Sequence, residues 1–105
     1  MNTYRFSILT PDKKCFEDTV ASIIVSGENG QFTILAQHTP MVALLVEGPI
    51  SIRTNTQTRM GQVGSGILQV GREETVALVH SFHWDGEEGE GAIAVEPDRG
   101  EDSLL

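Results

Sequence analysis

The chain has 105 residues, of which 15 are acidic and 7 are lysine or arginine, giving a net charge of -8. A single domain of this length buries about two-thirds of the surface its unfolded form exposes, enough for a core without staples. An acidic chain with no basic stripe lacks the cations that supply most nucleic-acid affinity and lipid-headgroup attraction, so both partners are disfavoured.

The opening residues, MNTYRFSILTPDKK, have no basic segment followed by an apolar signal core, and the lone Cys15 cannot close an internal disulfide. An intracellular, reducing compartment is the expectation. Tyr4, Phe6 and Ile8 alternate with Arg5, Ser7 and Leu9, the period of a half-buried strand, and Thr10-Pro11-Asp12 ends it. The stretch ASIIVSG is apolar on both parities, as is TVALVHS further on. Both are expected to be inner strands covered on both faces.

Asn29-Gly30 tolerates the positive φ of a tight hairpin turn, so one strand ends at GEN and the next begins at GQFTILA. In that second strand Phe32 and Ile34 share one face, and Thr33 and Leu35 the other. Thr39 is held extended by Pro40, which makes QHTP a rigid corner before MVALLV. That apolar run, Met41 to Val46, is far short of the roughly 20 residues of a spanning helix, so no membrane crossing is expected.

Beyond the turn Glu47-Gly48-Pro49, Ile50 and Ile52 alternate with Ser51 and Arg53. Gly64-Ser65-Gly66 reads as a hairpin turn, and Gly71 as another. Turns near every ten residues, with no helical apolar stripe, predict an all-β sandwich of about ten short strands over residues 1–84. Residues 85–105 hold eight carboxylates against Arg99 alone, with Gly86, Gly89, Gly91, Pro97 and Gly100. This composition predicts a solvated, largely disordered acidic tail in which AIAV is able to add one edge strand.

Few residues carry chemistry. His80 and His83 have an HxxH spacing that holds a metal on a helix, but on a strand they point to opposite faces. His38 sits in a corner with no nucleophile beside it, which favours a surface or interface role over general-base work. The glycines of GQVGSGILQVG precede a strand, whereas a phosphate loop opens a helix. Ser65 lacks the frame of a nucleophile elbow, since Val63 and Ile67 occupy its outer positions. Cys15 follows Lys13 and Lys14, yet a half-buried structural thiol beside Phe16 is the commoner outcome.

The stretch GENGQFTILAQHTP, a Gly-acidic-x-Gly turn, a strand and a His-x-Pro corner, resembles the N-terminal β-sandwich of the epsilon subunit of F-type ATP synthases. FSILTPDKKCFEDTVASIIVSG is similar to that family's opening strands, and GPISIR and GSGILQVGREETVALV to its later hairpins. The resemblance spans residues 4–80. It implies a non-catalytic rotor component at the foot of the central stalk, bound to the gamma subunit and the ring of c subunits. Its implied place is the cytoplasmic face of a bacterial inner membrane, and its implied work is coupling ion-driven rotation to ATP synthesis. No cofactor, metal or catalytic residue is expected.

By position, Glu28, Asn29, Gly30, Gln31, His38 and Thr39 match the family's loops facing the c ring, with the interface extended to Met41 and Val42. Gamma is expected to hold part of one sheet face. The family's two C-terminal helices find no counterpart in the Gly-rich tail, and adjacent Asp98-Arg99 does not reproduce its Asp-x-x-Arg-Ala nucleotide motif. Self-inhibition and ATP sensing are therefore not expected. The alternatives are a stand-alone sandwich adaptor and a small metal-dependent enzyme using His80 and His83.

Overall fold

A computed structural model of the chain describes residues 2–86. The disorder expected of the tail, its AIAV edge strand and most of the expected second segment lie outside the described residues. Within them are ten strands: β1 (Tyr4–Leu9), β2 (Lys14–Val20), β3 (Ser22–Gly27), β4 (Gly30–Leu35), β5 (Met41–Leu45), β6 (Gly48–Arg53), β7 (Thr58–Val63), β8 (Gly66–Val70), β9 (Glu74–Val79) and β10 (Phe82–Trp84). They form two five-stranded sheets, ordered β2-β1-β9-β8-β5 and β10-β7-β6-β3-β4. The all-β sandwich read from the turn spacing is the observed fold.

Period-2 alternation decides what goes between the sheets. Phe6 and Ile8 of β1, Leu68 of β8 and Ala77 of β9 are fully buried, facing Ile23, Ile34, Ile50 and Ile52 of the second sheet. Each large side chain so buried contributes about 1.5–3 kcal/mol relative to exposure. Hairpins join β1 to β2, β3 to β4, β6 to β7 and β8 to β9, all antiparallel. β1 and β9 pair in parallel and bring the two ends of the first sheet's chain path side by side.

Two expectations are corrected. β3 and β9 are flanked by partners on both edges, but they are not covered on both faces: Ile24 is 36% and Leu78 39% exposed. A two-layer sandwich has one interlayer, so an apolar residue on the outward parity meets no second layer. Gly64-Ser65-Gly66 is not a hairpin either, because β7 and β8 lie in different sheets. It is one of two adjacent crossings. The Gly64 amide donates to the Ser81 carbonyl (2.9 Å) and the His80 amide to the Ser65 carbonyl (3.0 Å), tying residues 64–65 to residues 80–81. Gly66 is required there, since a Cβ would fall on the Leu78 carbonyl oxygen.

One long edge of the sandwich, where β2 lies over β10, is closed by aromatic rings. Phe6, Phe16, Trp84 and Phe82 form a chain with successive centroids 6.0, 5.6 and 4.8 Å apart, and the Arg59 guanidinium lies 3.6 Å above the Trp84 ring. The HSFHW segment is thus a structural strand in its Phe82 and Trp84. Replacing Trp84 by Ala is expected to cost about 2–3 kcal/mol, and Arg59→Ala about 0.5–1 kcal/mol, in urea unfolding followed by circular dichroism. Equal, near-zero losses would show that the rings do not hold this edge.

Tyr4 ties the layers together. Its hydroxyl crosses from β1 to donate to the Ile34 carbonyl of β4, at 2.7 Å. Burial pushes the phenol well above its ordinary value, and the Ile23 backbone offsets only part of that. The folded pKa is raised, so Tyr4's contribution is complete below the unfolded value of about 10 and is lost as pH climbs above it. Tyr4→Phe is expected to cost about 1–2 kcal/mol at neutral pH and to weaken the loss of stability above about pH 10, both read from urea midpoints.

Candidate functional site

The outward face of the first sheet is where the described surface departs most from a solvated β-face. Register places Leu9 opposite Leu78, Leu78 opposite Ile67, and Ile67 opposite Leu44, a row of four aliphatic side chains across β1, β9, β8 and β5. Neighbours in such a row stand about 5 Å apart. In the next row Val76 and Val42 flank Gln69. Val42 is 68% and Leu44 60% exposed. At one end the row opens into a groove of about 630 Å³ lined by Leu9, Pro11, Leu44, Ile67, Leu78 and His80, among others.

A solvent-facing antiparallel sheet is ordinarily polar on its outer parity. Contiguous apolar patches on soluble domains mark protein or membrane contacts or ligand grooves. What such a surface offers a partner is the exclusion of water. The lining of the groove also includes Glu28, Ser65 and His80, and among the described residues no hydrogen bond joins their side chains.

The eight residues picked from the sequence fall into two groups. Glu28 and Asn29 are the tip of the β3–β4 hairpin, closed by the pair Gly27 and Gly30, and Gln31 follows on β4. Only Gly30 uses a positive φ, +118°, while Asn29 keeps a negative one, which corrects the expectation that the pair shares that freedom. All four are exposed, and none of their side chains is hydrogen-bonded among the described residues.

The second group lies at the other end of β4, about 17 Å away for a six-residue strand. There Gln37 takes a left-handed φ of +64° that the sequence reading did not anticipate. The His38 Nδ1–H donates to the Thr39 carbonyl at 2.7 Å, and Arg72 and Glu73 of the β8–β9 turn line the same hollow. Met41 packs against the core and Val42 points outward. The structure therefore joins His38 and Thr39 to Met41 and Val42, and separates all four from the Glu28 turn.

Leu9, Leu44, Ile67 and Leu78 were missed. Their signal was present as strands apolar on both parities, which in a two-layer fold must leave one parity outside. His80 leaves the first sheet at the end of β9, while His83 belongs to β10 of the second. Among the described residues no three His, Cys, Asp or Glu side chains converge as metal ligands. Cys15 is half-buried, its Sγ 3.7 Å from Thr10 Oγ1. Glu17 bonds Lys14 and Arg5, each at 2.7 Å, and these contacts hold its carboxyl below the usual range. The cluster is solvated and adds little stability.

Comparison with known proteins agrees with this geometry. The family described as ATP synthase, Delta/Epsilon chain, beta-sandwich domain, matches residues 3–85. The chain is 31% identical over 86 residues to the ATP synthase epsilon chain of Alkaliphilus oremlandii, covering 82% of this chain and 64% of that one. It is 32% identical over 81 residues to the ATP synthase epsilon chain of Bacillus pumilus, covering 77% and 62%. The chain thus spans a little under two-thirds of the length of these relatives.

In fold it is similar to a chain of the Euglena gracilis mitochondrial ATP synthase structure of OSCP, F1 and c-ring, with TM-score 0.74 at 15% identity, covering 78% of this chain and 53% of that one. It is also similar to a chain of the central stalk and c-ring of the Tetrahymena thermophila mitochondrial ATP synthase, with TM-score 0.68 at 15% identity, covering 78% and 66%. A match over all ten described strands, joined to a sandwich with one apolar outer face, makes the assignment: this chain belongs to the delta/epsilon family of ATP synthase subunits through its β-sandwich domain.

Proposed function

We propose that the chain is an epsilon-type subunit of the central stalk of an F-type ATP synthase, a non-catalytic rotor part that binds gamma and rests on the c ring. The proposal places it at the cytoplasmic face of a bacterial inner membrane, helping couple ion-driven rotation to ATP synthesis. The observation that carries this reading is the aliphatic row Leu9, Leu78, Ile67 and Leu44, presented on a rigid sheet of a chain in this family. Gamma is the partner assigned to that row, with Val42 at its margin. A close-packed sandwich suits such work because it transmits strain with little deformation.

One end of a rigid sandwich rests on the ring, and the Glu28–Gln31 turn is assigned to it. Its exposed carboxylate and amides are unspent, whereas His38 and Thr39 already satisfy one another through the ring nitrogen and the carbonyl. His38 and Thr39 then lie at the end away from the ring.

Two measurements test this. In isothermal titration with the gamma subunit of the same organism, the native chain is expected to bind one to one. Leu44→Asp with Ile67→Asp is expected to weaken binding at least tenfold with an unchanged circular dichroism spectrum, about 1.4 kcal/mol or more. Failure of the folded native chain to bind competent gamma would replace the stalk role with a stand-alone adaptor. In reconstitution with the c ring, Gln31→Lys is expected to reduce assembly and His38→Ala to leave it unchanged; the reverse pattern would exchange the two ends.

A further inference from the structure

The aliphatic face of the first sheet has one interruption. β9 turns Val76 and Leu78 outward, β8 turns Ile67 and Gln69, and β5 turns Val42 and Leu44. Register sets Gln69 directly between Val76 on one side and Val42 on the other. Along its own strand it shares the face with Ile67, two residues back, and with Gly71, two residues on, which brings no side chain. The one other polar residue that these three strands turn outward, Glu74, stands at the start of β9 and diagonally from Gln69. Gln69 is exposed, and among the described residues no hydrogen bond engages its carboxamide. Beside it lies a hollow of about 620 Å³, walled by Gln69, Met41, Val42 and Val76 and by the exposed Arg72, Glu73 and Glu74 where β8 turns into β9.

An aliphatic row by itself does not fix where a partner stops. Leu9, Leu78, Ile67 and Leu44 repeat at one strand spacing, about 4.8 Å, so a partner displaced by that step would meet nearly the same surface. A carboxamide beside the row removes the ambiguity. Once water is excluded, its Nε2 hydrogens and its Oε1 must be met by the partner, because a buried polar group left unpaired costs more than a made hydrogen bond returns. A single polar residue at a core position of a coiled coil sets register in this way.

The chemistry of the mate follows from the carboxamide, which is donor and acceptor at once. A lysine would serve Oε1 and leave the Nε2 hydrogens unmet; a carboxylate would do the reverse. Either would also carry a charge in among Val42, Ile67 and Val76, where desolvation is costly. A neutral amide supplies both functions without a charge. We propose that Gln69 is the specificity-determining residue of the gamma-binding face: its carboxamide pairs with a neutral amide of gamma, a peptide group or an Asn or Gln side chain, and sets the register in which gamma lies on the aliphatic row. The inference rests on gamma being the partner of that row.

The sign of one substitution tests it. Gln69→Leu enlarges the apolar patch, so a face that binds by burial alone would hold gamma as tightly or more tightly. Pairing through the carboxamide predicts the opposite, at least a tenfold weaker Kd in isothermal titration, with a circular dichroism spectrum like that of the native chain. In NMR of the complex, the Gln69 side-chain amide protons, identified by their absence from the Gln69→Leu spectrum, are expected to move and to exchange with water at least tenfold more slowly than in the free chain. Unchanged or tighter binding of Gln69→Leu, or amide protons that neither move nor slow, would overturn the inference while leaving gamma as the partner. If the native chain fails to bind competent gamma, or if Leu44→Asp with Ile67→Asp binds as well as the native chain, the inference falls together with the reading it rests on.

Discussion

Two five-stranded sheets share one interlayer, and almost every other property of the molecule follows from keeping it dry and close-packed. Phe6, Ile8, Ile23, Ile34, Ile50, Ile52 and Leu68 supply its volume, and among the described residues the only long-range side-chain hydrogen bond into it comes from the Tyr4 hydroxyl. Because strand side chains alternate, committing one parity to the interlayer leaves the other parity uncommitted. The crossings are held to the same standard. Gly66 and Gly61 sit where neighbouring backbone approaches too closely for a side chain, Gly61 against the His83 carbonyl and the Phe82 ring.

The uncommitted parity differs between the layers. On the first sheet it is a row of aliphatic side chains with carboxylates at the β2 side; on the second it is hydroxyls, amides, a small aliphatic centre and arginine. A sandwich with two alike faces would bind without orientation. Here the layers give the body a front and a back. Edges differ as well: β2 carries charge and ion pairs, and β10 is three residues long, while β4 and β5 carry no charge at all. Charged or very short edges resist pairing with other strands, so the β4 and β5 side is the less guarded one.

Much of this was legible in the sequence. Tyr4-Phe6-Ile8 and Ile50-Ile52 announced their strands by period, and Asn29-Gly30 and Thr10-Pro11-Asp12 announced their turns. What misled was the apolar stretch on both parities. ASIIVSG and TVALVHS carry the pattern of a strand between two layers, and only the pairing shows that their outward residues belong to a surface. Gly64-Ser65-Gly66 looked like a hairpin because glycine marks a reversal without saying which sheet receives the chain. The left-handed Gln37 had no composition signal. The row from Leu9 to Leu44 was illegible for a more basic reason: its members come from four strands spread over Leu9 to Leu78, and adjacency across strands is set by register.

The parallel pairing of β1 with β9 has a consequence for how the molecule is made. Arg5 pairs with Glu74 and Leu9 with Leu78, so the middle of the first sheet joins residues nearly seventy positions apart. During synthesis the second sheet can assemble β3, β4, β6 and β7 from hairpins and near neighbours as each emerges. β1 has only β2 to pair with until Val79 has cleared the ribosome, and closing so long a loop is slow. Through most of its translation the nascent chain therefore holds an inner strand with a bare edge and a half-built core, until β9 enters between β1 and β8.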